Sequence, residues 1–182
     1  STLSDTSYQQ IGVGDVDADG DTDIIIPFSG TGTTVFTNSN GTFTSSSTLS
    51  GATNATSAKF ADIDGDGDLD AIVGNSTSLM GFANDGSAGF TEVLNVSTSG
   101  TPADLKIDDI DGDGDLDIVV AFTGVSGASN AIFRNYGNWS LVKETAWFSS
   151  SAKTEKVVIA DYDLDGDKDV LFQNSSDSAT HN

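Results

Sequence analysis

Four stretches of nine residues carry an aspartate at every odd position and a glycine at the sixth. The first holds Asp15, Asp17, Asp19, Asp21 and Asp23 around Gly20, and the second Asp62, Asp64, Asp66, Asp68 and Asp70 around Gly67. The third holds Asp109, Asp111, Asp113, Asp115 and Asp117 around Gly114, and the fourth Asp161, Asp163, Asp165, Asp167 and Asp169 around Gly166. Five carboxylates so close together repel one another unless a cation sits among them. A hard divalent ion taking about six to eight oxygen ligands suits them, and calcium suits them better than magnesium, which keeps near-octahedral geometry and several waters. The spacing assigns side-chain ligands to positions 1, 3, 5 and 9. It gives position 7 (Asp21, Asp68, Asp115, Asp167) a main-chain oxygen as ligand, with its carboxylate in water. Position 6 needs the positive φ that glycine tolerates.

The elements around these loops are strands. An EF-hand would place Glu at position 12 and continue into a helix, but position 12 is Ile26, Val73, Val120 and Phe172. The runs Ile24-Ile25-Ile26, Ala71-Ile72-Val73, Ile118-Val119-Val120 and Val170-Leu171-Phe172 read as short strands buried on both faces. Ahead of each loop, Ile11/Val13, Ala58/Phe60, Leu105/Ile107 and Val157/Ile159 alternate as an incoming strand does. A second signature follows three of the loops: Phe36-Thr37-Asn38 through Gly41 to Phe43, Phe82-Ala83-Asn84 through Gly86 to Phe90, and Phe133-Arg134-Asn135 through Gly137 to Trp139. Aromatic, Asn/Gly turn, aromatic predicts a hairpin. The loops recur at intervals of 47, 47 and 52 residues. A four-stranded unit at this period has the dimensions of a propeller blade.

With its four Asp-x-Asp-x-Asp-Gly-x-x-Asp loops and three Asn/Gly hairpins, the chain resembles the FG-GAP or VCBS repeat family, whose blades also build integrin alpha-chain propellers. The resemblance implies an all-β, β-propeller-like array of about four blades with structural calcium loops, in secreted or surface proteins serving adhesion or carbohydrate binding. The integrin-type Gly-Ala-Pro piece is absent, its nearest equivalents being Gly74-Asn75, Ala121-Phe122 and Pro27-Phe28. That argues for the plainer VCBS form and against integrin-like ligand recognition. Residues 1–182 read as one such domain, with the last blade about one strand short of the period. Ser1-Thr2-Leu3-Ser4 echoes Ser47-Thr48-Leu49-Ser50 in the outer strand of the first blade. A four-blade ring with an incomplete blade, a fragment of a larger propeller, and a subunit completed by a neighbour's strand all fit. The last predicts a homo-oligomer or filament joined through terminal strands.

Composition narrows the partners. Of the 28 acidic residues, 20 lie in the four loops, and four divalent ions would bring the net charge from −21 to −13. Such a surface argues against nucleic acid and anionic membranes. There is no cysteine, no 18-residue apolar run and no signal-peptide pattern, as in a mature chain or a fragment. Millimolar external calcium matches sites of this kind and points outside the cell or to its surface. Sequons at Asn40, Asn54, Asn75, Asn95, Asn138 and Asn174 are glycosylation candidates, with Asn75 and Asn174 at equivalent, exposed positions after their loops. Catalysis is not expected, because the sole histidine is His181, beside the C-terminus, and the loop pattern accounts for nearly all carboxylate pairs. The reading is a calcium-binding extracellular structural or adhesive protein, with a glycan or surface protein as ligand. The alternative is a calcium-dependent lectin using Tyr8, Tyr136, Trp139, Trp147 and Tyr162 as sugar-stacking faces. Aromatics that recur at the hairpin ends fit packing between blades as well.

Overall fold

The structure, a computed structural model, describes residues 9–28, 30–98, 100–123, 130–144 and 154–174. Tyr8, Trp147, His181 and the N-terminal Ser-Thr-Leu-Ser segment lie outside these residues. The described residues form fourteen strands and no helix. The chain divides into two compact units, Ser1–Asp62 with Asp66–Thr98, and Ile63–Gly65 with Ser99–Asn182.

The first unit holds two four-stranded antiparallel sheets in simple up-and-down order. One contains β1 (Gly12–Gly14), β2 (Asp23–Phe28), β3 (Gly32–Ser39) and β4 (Thr42–Leu49), and the other β5 (Ala55–Ala61), β6 (Asp70–Asn75), β7 (Ser78–Asn84) and β8 (Phe90–Ser97). In each, the aspartate loop joins the first two strands, and its ninth residue opens the second. Asp23 lies opposite Gly14, and Asp70 opposite Ala61. The β3–β4 turn runs through Asn40 and Gly41, both at positive φ (52° and 85°), the conformation that a two-residue Asn-Gly turn takes. Each β2–β3–β4-type hairpin carries a bulge at its aromatic residue, between Val35 and Phe36 and between Gly81 and Phe82. The Ser/Thr-rich β4 is mostly exposed, as an outer strand should be. The two sheets share a core that includes Val16, Ile25, Val35, Leu49, Ala58, Val73, Met80 and Phe82. Backbone bonds from Gln10 N to Thr56 O and from Ala58 N to Gln10 O, each 3.0 Å, fasten the approach to β1 along β5.

The second unit repeats the plan with β9 (Thr101–Asp108), β10 (Asp117–Thr123), β11 (Ala131–Asn135) and β12 (Leu141–Glu144), followed by a two-stranded sheet of β13 (Thr154–Ala160) and β14 (Asp169–Asn174). Asp104, buried on β9, receives the Val157 N–H of β13 at 3.1 Å and joins the two sheets. Val119, Ala121, Ile132 and Val157 form the apolar cluster between them. Three described sheets thus have the four-stranded order expected of propeller blades, and the fourth has two strands among the described residues.

The apolar runs after the loops behave differently from blade to blade. β6 is buried at all six residues and β10 at six of seven, as expected for strands covered on both faces. β2 alternates and β14 is largely exposed. Ahead of the first loop the expected incoming strand is present as β1, with Ile11 and Val13 49 % and 59 % exposed. Their counterparts Ala58 and Phe60 lie on the face of β5 that the first sheet covers. Among the described residues no earlier sheet does this for Ile11 and Val13.

Phe82 is 2 % exposed at the centre of the first unit's core. Phe82→Ala is expected to cost about 3–5 kcal/mol of unfolding free energy, measured as a shift of the denaturant midpoint. A loss below about 1 kcal/mol would mean that this core is not the unit's main apolar contact.

Candidate metal centres

The four loops share one geometry. The first aspartate accepts the N–H of the position-6 glycine: Asp15 Oδ2 from Gly20 (3.0 Å), Asp62 from Gly67 (3.0 Å), Asp109 from Gly114 (3.1 Å) and Asp161 from Gly166 (3.1 Å). The fifth accepts the N–H of the seventh at 2.8–3.0 Å in every copy. The glycines stand at φ between 92° and 99°, where a side chain would be strained. These bonds curl the loop so that several carboxylates face one point. Ligand atoms of Asp15, Asp17 and Asp19 lie within 4.8 Å of one another, as do those of Asp62, Asp64 and Asp66, of Asp109, Asp111 and Asp117, and of Asp161, Asp163 and Asp169.

Position 9 has a second use that spacing alone does not show. Asp23, Asp70 and Asp117 are fully buried. One oxygen of Asp23 accepts the Val16 N–H (2.8 Å) and the other the Asn38 N–H (2.7 Å). Asp117 does the same with Ile110 (3.1 Å) and Asn135 (2.8 Å), and Asp70 accepts from Asn84 (3.0 Å). The carboxylate therefore ties the start of the loop to the hairpin of the same blade. Asp169, less buried, keeps the first of these bonds, from Tyr162 N–H at 2.8 Å.

Position 7 departs from expectation in one respect. Asp21 Oδ2 accepts the Asn40 N–H at 2.6 Å, so its carboxylate reaches the hairpin turn rather than standing in water alone. The Asp68 carboxylate lies so close to Gly86 that a Cβ there would come within 2.6 Å of it. No position-7 carboxylate belongs to the four clusters. In the first and second loops Asp23 and Asp70 also stand outside them, as do Asp113 and Asp165 in the third and fourth.

The hairpin asparagine is the functional residue that the sequence reading treated only as part of a turn. Asn84 Nδ2 donates to Leu69 O of its own loop (3.1 Å) and to Val16 O of the first loop (2.8 Å). Within the second unit, Asn135 Nδ2 repeats this with Leu116 O (3.2 Å) and Ile63 O (2.8 Å). One amide thus brackets two consecutive loops. Its signal is the Phe-x-Asn triplet in every hairpin. Trp139 is likewise structural in placement, its indole N–H donating to Asp64 Oδ2 at 3.1 Å. Tyr136 and Tyr162 are exposed.

Electrostatics favour a cation. The Asp17 carboxyl is pushed above its ordinary value by burial first, then by the charges of Asp19, Asp23 and Asp15, which outweigh a backbone N–H bond. Asp15 Oδ1, Asp17 Oδ1 and Asp161 Oδ1 are buried and accept no hydrogen bond. Buried carboxylate oxygens without donors are costly unless something positive meets them. The donor set is all hard oxygen, which fits calcium chemistry. Asp117 is also raised, by burial, against the opposing bonds from Asn135, Ile110 and Arg134.

The sequons divide. Asn40, Asn54, Asn95, Asn138 and Asn174 are exposed. Asn75 is not, which corrects its expected exposure: it is 6 % exposed, and its Oδ1 accepts from Thr77 N, Thr77 Oγ1, Ser78 N and Ser78 Oγ at 2.8–3.2 Å. In the folded chain Asn75 thus organises the β6–β7 turn and is not exposed.

A family model of the FG-GAP-like repeat matches residues 15–73, 62–120 and 109–172. The chain belongs to this family. Each match opens on the first aspartate of one loop and ends on the strand behind the next; the matches 62–120 and 109–172 each hold a hairpin asparagine with its own loop, while the earlier loop it also reaches lies in the preceding match. A search of curated proteins finds no match. Among the described residues no helix is long and apolar enough to cross a membrane.

Asp23 and Asp17 separate the structural carboxylates from those facing the centre. Asp23→Ala leaves two N–H groups without their acceptor and is expected to cost about 2–4 kcal/mol with or without calcium. Asp17→Asn is expected to raise the melting temperature in EDTA and lower it in calcium. The sign follows from its raised pKa: this group's contribution to folding is fully present below its ordinary 3.8 and lost as pH rises through the folded value. Thermal melts in the two buffers check both. The assignment fails if Asp17→Asn lowers the melting point equally in both.

Proposed function

We propose that this FG-GAP repeat protein is an extracellular structural or adhesive module whose aspartate loops bind about four calcium ions. The observation that carries the reading is the set of buried, donor-less carboxylate oxygens, Asp15 Oδ1, Asp17 Oδ1 and Asp161 Oδ1, inside clusters of like charge. Calcium would be held by Asp15, Asp17 and Asp19, by Asp62, Asp64 and Asp66, by Asp109, Asp111 and Asp117, and by Asp161, Asp163 and Asp169. Bound there, it supplies positive charge and oxygen coordination. The chain's own groups do the rest: the glycine N–H groups aim the first carboxylates, and the ninth aspartates and hairpin asparagines lock each loop to its sheet. The family's usual place in secreted and surface proteins, together with millimolar external calcium, supports the extracellular assignment.

The mechanism is linkage between ion binding and folding. Each site held at about 100 times its Kd adds about 2.7 kcal/mol to stability. At roughly 2–4 °C per kcal/mol, that shifts melting by about 5–10 °C per site. Melting in millimolar calcium against excess EDTA tests this. Equal melting temperatures would overturn the calcium reading.

Assembly through terminal strands is the second part of the proposal. Among the described residues β14 pairs only with β13 in a two-stranded sheet, its Leu171 is 46 % exposed, and an edge strand of this kind accepts another strand readily. Sedimentation in calcium is expected to show association that rises with concentration. A single monomeric species across the accessible range would remove this part.

A further inference from the structure

The third loop differs from the others in a way that resting carboxylate counts hide. Behind it, between Phe133 and Asn135, the hairpin carries Arg134, where the first two hairpins carry Thr37 and Ala83. Arg134 Nη1 stands 2.8 Å from Asp117 Oδ2 and 3.5 Å from Asp111 Oδ2, and its Nε lies 3.7 Å from Glu144. Asp111 and Asp117 are two of the three carboxylates that converge there. The guanidinium is thus drawn onto the group that an ion would occupy. Its own pKa is raised: burial works against the charge, but Asp117, Asp111 and Glu144 outweigh it.

The remaining oxygens of this cluster are also satisfied from within. Asp109 Oδ1 accepts from Gly112 N (2.8 Å) and Oδ2 from Gly114 N (3.1 Å). Asp111 Oδ1 accepts from Asp113 N (3.4 Å), and Asp117 accepts from Ile110 N and Asn135 N as well as from Arg134. Every oxygen of Asp109, Asp111 and Asp117 therefore has a donor or a cation. The first and fourth loops, by contrast, keep Asp15 Oδ1, Asp17 Oδ1 and Asp161 Oδ1 buried and without one.

We infer that Arg134 serves as a resident cation for the third loop, so that this loop is folded before calcium arrives and binds it most weakly of the four. This rests on the calcium reading of the other loops. An incoming divalent ion must displace the guanidinium from Asp111 and Asp117, and it meets a positive charge a few ångströms away. The strength lost with one charge-assisted bond corresponds to about a tenfold change in affinity. The second unit then keeps part of its order when calcium falls, while loops without such a charge lose theirs.

The test combines calcium titration calorimetry of the full chain with melting in EDTA, on wild type, Arg134→Thr, Arg134→Lys and Asp111→Asn. Wild type should show one binding event at least about tenfold weaker than the others. Arg134→Thr should bring that event into line with the rest and lower the melting temperature in EDTA, with recovery in calcium. Arg134→Lys should keep the weak event, because the charge remains, and Asp111→Asn should remove it while sparing the tight ones. If Arg134→Thr binds with the affinities of wild type, or if Asp111→Asn deletes a tight event, the inference is wrong and the calcium reading stands. If wild type binds no calcium at all, the calcium reading itself fails and takes the inference with it.

Discussion

The buried carboxylate at the ninth loop position is the interaction on which each blade depends. Asp23 and Asp117 each gather two backbone N–H groups, one from the start of the loop and one from the hairpin end of the next strand. A loop of carboxylates would otherwise splay apart, and the hairpin would otherwise swing free of it. Because the acceptor is ionised and its donors are main-chain groups in a sheet, the tie is strong and stiff. It is also negative. The fold thus keeps a buried anion within a loop whose other carboxylates already converge in a group of three, a concentration of like charge that a cation would relieve.

The hairpin asparagine extends the same logic along the chain. Asn84 donates both to its own loop and to the first, and Asn135 repeats the pattern on Leu116 and Ile63. Val16 of the first loop and Ile63 of the second are therefore held by the asparagine of the following repeat. Small open sheets gain little from their own cores, so neighbour contacts of this kind carry much of the stability in repeat proteins. The bracket reaches past a single family match, from Val16 in the match 15–73 to Asn84 beyond its end and from Ile63 in the match 62–120 to Asn135 beyond its end, so it links one repeat to the next.

Much of this was legible in the residues, and the rest was hidden for reasons that can be named. Strand–loop–strand followed from apolar position 12, and the hairpins from Asn-Gly chemistry, because both are local. Which carboxylates face the centre did not follow, since alternate aspartates have identical chemistry and only the backbone N–H directions sort them. Ile11 and Val13 alternate as their counterparts Ala58 and Phe60 do but are exposed, because among the described residues no sheet packs over them. Asn75 matches a sequon, yet four hydrogen bonds close around its side chain. The sequon records residue type, not access.

The cations of this chain are distributed unevenly, and the unevenness bears on how the repeats divide their labour. Of the seven lysines and arginines, only Lys59 precedes residue 100. In the second unit Arg134 enters the third loop's cluster, and Lys168 of the fourth loop pairs with Asp108, next to the third, at 3.0 Å. Compensation by a covalently attached charge is always present but cannot be concentrated or withdrawn; compensation by an ion follows its activity in solution. On the proposal made above for Arg134, a chain that uses one means in one repeat and the other elsewhere would grade its dependence on calcium along its length. The repeats are alike in backbone and unlike in this respect, and one hairpin position, held by Thr37, Ala83 or Arg134, is where they diverge.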